Sequence, residues 1–246
     1  MTFSSVPYND KPSDSIKNFL PIILKISGVI ILVIAVLFGV NYALNVYTPA
    51  TKVDGNKWIP GYSAKAGKKD AKIQLIYFYD LQCSACKDND PKLNDIVAKY
   101  GDKIGFVYRN YPLTEIHPYA EIAAKGAQGA SRQGFEKYSE YKKQVFAVQS
   151  ELSGGKIESA AKNAGLNVEE WNKERNSSIV SSEVKADLDF IKSVNLPNST
   201  VPNVSGNKAN GTPTNVILED EKPVDWWSGS IEQATQELTI NKYLNK

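Results

Sequence analysis

IQLIYFYDLQCSACKDNDPKLNDIVAKYGDKIGFVYRN, residues 73–110, decides the fold class. Its first part, Ile73 to Tyr79, is a nearly continuous apolar and aromatic run, the pattern of a central strand covered on both faces. Cys83-Ser84-Ala85-Cys86 follows almost at once. Beyond the cysteines, Leu93, Ile96, Val97 and Tyr100 recur at i, i+3, i+4 and i+7, which predicts an amphipathic helix from Cys86 onward. Cys83 then sits near the helix N-terminus, and Gly101 ends the helix. Ile104 to Arg109 reads as a second strand, so the unit is strand, helix, strand with the strands parallel.

The 246 residues hold only these two cysteines, so no disulfide can staple distant parts of the chain. A bond between them closes a loop too small to constrain the unfolded state, which makes chemistry the better reason for the pair. The thiolate is the attacking form of cysteine, and a helix N-terminus stabilises it with unpaired N–H groups and the positive end of the helix dipole. A second thiol one turn later can attack the resulting mixed disulfide and release the partner. Cys83 is therefore read as the nucleophile and Cys86 as the more buried, resolving thiol. A zinc half-site has the same spacing, but zinc takes about four ligands, and the chain has no further cysteine and a single histidine. The reading needs no metal and no cofactor. A net charge of +2, without a long run of Lys or Arg, argues against nucleic acid as a partner.

Ile26 to Leu44 reads ISGVIILVIAVLFGVNYAL, an uncharged stretch that would span about 28 Å as a helix, close to a bilayer core. A transmembrane anchor is therefore expected over residues 26–46, with a cytoplasmic segment over 1–25. A cleaved signal peptide fits less well, because the polar start is long, the apolar run exceeds the usual ~7 to 15 residues and no small-x-small site follows. Lysines flank the span on both sides, so charge does not orient it. The C-terminal part is expected outside the cytoplasm, where disulfides persist, which makes this a single-pass protein of the cell membrane. Residues 47–72 read as a linker with a short strand near Lys57 to Ile59, and residues 73–246 as the folded domain.

Within that domain, residues 118–194 are expected to be mainly helical, with Asn167 and Glu170 as N-cap and capping-box partner of a short helix containing Trp171. A polar loop (195–210) leads to a strand from Asn215 to Glu219. A hairpin partner through Trp226 and Trp227 follows, then a final helix capped by Ser230 with Gln233 and ending near Leu244. The order is α/β with a helical insertion.

Three stretches carry a family resemblance: YDLQCSACK (79–87), RNYPLTEIHPYAEIAAKGAQGA (109–130) and GTPTNVIL (211–218). From Asp70 to the C-terminus the chain resembles the DsbA-like thiol-disulfide oxidoreductases of the thioredoxin superfamily. The resemblance implies a thioredoxin-like fold with its helical insertion after the second strand. It also implies that Thr212 and Pro213 form the loop opposite the cysteines, with Pro213 cis and Thr212 offering its backbone to an extended substrate. Pro91 matches a helix-kinking proline of that superfamily. Two departures stand out. Tyr77 occupies a position that is often acidic in the family, while Asp80 is a family-typical residue of unassigned role. Ala85 stands where strong oxidants often carry histidine, so a milder oxidant is expected.

The implied partners are reduced or unfolded polypeptides and a membrane redox partner of the quinone-linked DsbB or vitamin K epoxide reductase (VKOR) type. A thiol reductase or disulfide isomerase would use the same site, and a membrane-tethered binding module would keep the fold without the chemistry. His117 is expected to be a loop or cap residue without a catalytic role. For Trp226 and Trp227, one ring in the core and one partly exposed is the simplest expectation.

Overall fold

The computed structural model describes residues 57–245. The segments expected at 1–25 and 26–46, and residues 47–56 of the linker, lie outside the described residues. No helix among the described residues is long and apolar enough to cross a membrane.

Five strands form one sheet in the order β1-β3-β2-β4-β5: β1 (Ala64–Gly67), β2 (Ile73–Tyr79), β3 (Gly105–Asn110), β4 (Thr214–Glu219) and β5 (Lys222–Ser228). The β2–β3 pair is parallel and every other pair antiparallel. Helix α1 (Ser84–Tyr100) connects β2 to β3, as the periodicity predicts, and runs through Pro91 to a C-cap at Gly101. Every residue of β2 is buried. Ile73, Leu75, Tyr77 and Tyr79 join a core with α1 residues Cys86, Leu93 and Ile96. Ile76 and Phe78 join a second core with Ile191, Leu196 and Trp226. The continuous apolar run is thus explained by alternation into two cores rather than one.

Between β3 and β4 lies the helical insertion: α2 (Ala120–Ser131), α3 (Phe135–Ala147), a 3-10 turn (Gln149–Glu151), α4 (Gly154–Asn163), α5 (Val168–Arg175) and α6 (Ser178–Ser193). The Ala and Gly residues of α2 are all buried, because small residues let the neighbouring helices approach. A Cβ on Gly126 would lie 2.1 Å from Tyr141 Oη. Trp171 fills the space opposite and donates Nε1–H to the Gly126 carbonyl at 2.8 Å. Asn167 caps α5 by accepting from the Glu170 N–H at 3.2 Å. Helix α7 (Gln233–Leu244) closes the domain against α1, with the Gln236 amide donating to Asn89 Oδ1 at 2.9 Å.

Three expectations are corrected. Lys57 to Ile59 is a turn: the Lys57 carbonyl accepts from the Arg109 guanidinium at 2.7 Å, and Trp58 packs edge-on against Phe190. The first strand is instead β1, inside the stretch read as linker, so the fold begins before residue 73. Its sequence AKAG has almost no strand signal, and its place is set by antiparallel pairing along β3. Ser230 does not cap the last helix. Glu232 is the N-cap residue and makes no side-chain cap bond, while the Ser230 hydroxyl donates to Asp88 at 2.5 Å. Trp226 and Trp227 are both buried, one in each core, because adjacent strand residues point to opposite faces.

One buried pair ties the insertion to the sheet. Asp187 on α6 accepts from Arg109 Nε at 2.7 Å, from the Asn110 N–H at 2.9 Å and from the Tyr62 hydroxyl at 2.9 Å. Both charged side chains are at most 2% exposed, and Arg109 also lies over the rings of Phe78 and Phe190. Removing one partner leaves a buried charge uncompensated. Asp187→Ala is therefore expected to lower unfolding free energy by about 3–5 kcal/mol in urea titrations; a loss below ~1 kcal/mol would mean that water reaches Arg109.

Candidate active site

Cys83 is the N-cap residue of α1, with extended backbone (φ −79°, ψ 123°). Its carbonyl accepts the first helical N–H groups, from Cys86 and Lys87, each at 3.1 Å. Its own N–H donates to the Asp80 carbonyl at 3.1 Å, a tight turn that carries the chain from β2 into the helix. Cys83 is 8% exposed and Cys86 wholly buried, and both are free thiols.

Thr212 and Pro213 stand directly across from the cysteines. The Cys83 thiol donates to the Thr212 carbonyl at 3.3 Å, and the Thr212–Pro213 bond is cis. Pro213 leads straight into β4, whose first residue, Thr214, pairs with Phe78 of β2. The sheet thus sets the loop's position, and residues far apart in sequence, 83 and 212, meet.

The two sulfurs differ in acidity. Hydrogen bonding from the Cys86 thiol brings the Cys83 pKa down to about 5. Burial opposes this, while the Thr212 side chain and the backbone N–H groups of Cys86 and Ala85 reinforce it. The Thr212 hydroxyl, although near enough to favour the thiolate, makes no hydrogen bond of normal geometry among the described residues. Cys86 is pushed well above the ordinary thiol range, first by burial and then by its neighbour Cys83. Its Sγ accepts one backbone N–H, from Asp80, at 3.4 Å.

Four residues from beyond β3 hold the cysteine loop, and no sequence pattern marks any of these contacts. The Asp80 carboxylate is 2% exposed and accepts from the Gln82 N–H at 2.7 Å and the Leu113 N–H at 2.9 Å. His117 Nδ1 lies 2.7 Å from the same carboxylate, so His117 is part of the loop's support. Gln82 Oε1 accepts from the Tyr119 N–H at 2.7 Å. Gln149 donates Nε2–H to the carbonyls of Leu81 and Cys83 at 2.8 and 3.0 Å. The His117–Asp80 contact spans 37 residues and the Gln149 clamp 66, separations at which a sequence pattern carries no local signal.

A family model described as "Thioredoxin" matches residues 61–217. Among solved structures, the thiol-disulfide exchange protein alpha-DsbA2 of Wolbachia pipientis superposes with a TM-score of 0.62 at 16% identity, covering 76% of this chain and 90% of that one. The catalytic domain of Proteus mirabilis ScsC superposes with a TM-score of 0.60 at 19% identity, covering 83% and 98%. At such identities the likeness is one of fold. In sequence, the chain is 29% identical over 108 residues to the Na(+)/H(+) antiporter NhaA 1 of Mycobacterium sp. (strain KMS), a match covering 44% of this chain and 17% of that protein. The match to NhaA 1 of Mycolicibacterium gilvum (strain PYR-GCK) is 26% over 147 residues and covers 24% of that protein. The chain therefore spans less than a quarter of the length of these curated relatives.

The acidity difference is directly measurable. In iodoacetamide labelling of the reduced protein across a pH series, Cys83 is expected to titrate with a midpoint near about 5, while Cys86 stays unreactive through neutral pH. Cys86→Ala removes the thiol whose hydrogen bond does most to stabilise the Cys83 thiolate and should move that midpoint upward. A midpoint for the unmodified protein at or above about 8.5, the unperturbed thiol value, would contradict the assignment.

Proposed function

We propose that this chain, which belongs to the thioredoxin family, is a thiol-disulfide oxidoreductase in which Cys83 is the nucleophile and Cys86 the resolving thiol. The observation that carries the reading is the opposed environment of two sulfurs three residues apart: one at a helix N-terminus with its pKa lowered to about 5, the other buried and held protonated. A structural cysteine pair needs no such difference.

The preferred direction is oxidation of substrate. In the disulfide form, a substrate thiolate attacks Cys83 Sγ, the Cys83–Cys86 bond breaks, and Cys86 departs and takes up a proton. A second substrate thiolate then attacks the substrate sulfur of the mixed disulfide and expels Cys83 as a thiolate. Two electrons pass from substrate to enzyme, and the substrate gains one disulfide. Cys83 is a good leaving group because its thiolate is stabilised, and stabilising the reduced form makes the pair more oxidising. As Cys83 ionises, the Thr212 carbonyl loses the thiol that it binds and becomes available to a substrate N–H, a strand-like contact beside the reacting sulfurs.

The proposed substrates are reduced or unfolded polypeptides, and a membrane redox partner of DsbB or VKOR type restores the disulfide. Residues 26–46 are proposed to anchor the protein, with the thioredoxin-type domain outside the cytoplasm. A reductase or isomerase would use the same residues in reverse, and thiol trapping in cells separates the two: a mostly disulfide pair supports oxidation, a mostly thiol pair reduction.

Two experiments test this reading. Cys86→Ser is expected to accumulate mixed disulfides through Cys83, visible as adducts on non-reducing gels, whereas Cys83→Ser should trap few or none; equal trapping by both would end the assignment of roles. Protease added outside the cytoplasmic membrane should release a soluble fragment beginning between Tyr47 and Lys57, and complete protection of the C-terminal domain would reverse the proposed orientation.

A further inference from the structure

Behind Cys86, where α1 and α7 lie on the sheet, a group of buried polar atoms lacks hydrogen-bond partners. Nine buried side-chain polar atoms make no hydrogen bond among the described residues, and six of them belong to five residues here: Tyr77 Oη, Asn89 Nδ2, both Asn215 amide atoms, Trp227 Nε1 and Gln236 Oε1. Tyr77 and the four others are each at most 1% exposed. Strand register brings three together, since Tyr77 pairs with Asn215 and Asn215 with Trp227 on adjacent strands, all facing the same side. Asn89 comes from α1, three residues after Cys86 and on the same helix face. Its amide lies near enough to the Tyr77 hydroxyl to influence its ionisation, and it accepts from Gln236 of α7.

Leaving one such group unsatisfied costs about 1–3 kcal/mol, so several of them buried between the sheet and α1 are a large penalty unless something bridges them. The donors and acceptors are mixed: hydroxyl, indole N–H, amide N–H and amide oxygen. A metal cation would be repelled by the N–H groups and an anion by the oxygens. Water, which both donates and accepts, satisfies two to four such groups at once.

We propose that Tyr77, Asn89, Asn215, Trp227 and Gln236 form an internal water-binding site beside the resolving thiol, and that its Tyr77 end donates a hydrogen bond to Cys86 as a thiolate. Tyr77 on β2 and Cys86 on α1 are buried in the same core, and the Cys86 charge is the largest of those opposing Tyr77 ionisation. The functional half rests on the exchange reading above; the water site itself does not. When Cys86 resolves a mixed disulfide, its sulfur bonds to Cys83 Sγ, the bond from Cys83 to the partner sulfur breaks, and the partner leaves as a thiolate that takes up the proton Cys86 gave up. Burial disfavours the transient Cys86 thiolate, and a hydroxyl held in position by bridging water offsets that penalty.

The test uses the full chain in detergent with 15N-labelled tryptophan, reading magnetisation transfer between water and each indole N–H. The Trp171 and Trp226 indoles donate to the Gly126 and Pro197 carbonyls and are expected to show no transfer. The Trp227 indole, assigned with Trp227→Phe, should show a direct water contact with the sign of a long-lived bound molecule. Silence at Trp227 would overturn the water site whether or not the protein exchanges thiols. For the link to Cys86, glutathione release from a Cys83–glutathione mixed disulfide is timed in single turnover. Tyr77→Phe is expected to slow release about tenfold, the effect of losing one hydrogen bond to a charged group, while the Cys83 alkylation midpoint stays near about 5. Unchanged release would overturn the link to Cys86, and failure of the unmodified protein to release glutathione at all would instead overturn the exchange reading.

Discussion

The Asp80 carboxylate is buried at the point where β2 gives way to α1, and most of the site is built around it. It accepts from the backbone of Gln82, shaping the turn into Cys83, and from the backbone of Leu113, holding the chain that leads into the insertion. His117 closes on the same oxygen. The Asp80 N–H meanwhile points at Cys86 Sγ. One residue thus links the central strand, the reactive helix and the entry to the insertion, and a buried carboxylate with so many donors resists displacement.

That constraint explains why the insertion matters to the chemistry although it contributes neither sulfur. Gln149 grips the carbonyls of Leu81 and Cys83, and the Cys83 carbonyl is also the acceptor that starts α1. The loop can neither twist nor unwind without breaking bonds to a separate layer of helices. Those helices are in turn locked to the sheet by Asp187 and Arg109. A thiolate stabilised by oriented N–H groups and a neighbouring thiol needs this rigidity, because such stabilisation depends on orientation as well as proximity.

Much of the fold was legible in the sequence. The apolar run from Ile73, the i, i+3, i+4 pattern beyond Cys86 and the strand at Ile104 are local signals, and each reports burial of its own element. The placement of the two cysteines was also a local signal, since the helix pattern beyond Cys86 puts Cys83 at the helix N-terminus and Cys86 one turn deeper. The resemblance carried Thr212 and Pro213, which no periodicity marks. β1 was missed because AKAG buries little and owes its place to the edge of β3. Ser230 was misread because the N-cap pattern is local, while the Asp88 carboxylate that binds it comes from another helix.

Sequence alone therefore determined the order of elements, the central strand, the reactive helix and the identity of the two sulfurs, because each is encoded within a few turns of chain. Tertiary structure decided the rest: that Thr212 faces Cys83 across 129 positions, that His117 and Gln149 brace the loop, and that Tyr77, Asn215 and Trp227 lie side by side on adjacent strands and face the same side of the sheet. The physical reason is the same in each case. Hydrogen bonds between distant residues depend on strand register and helix packing, and these are properties of the assembled sheet and its layers that no stretch of sequence carries by itself.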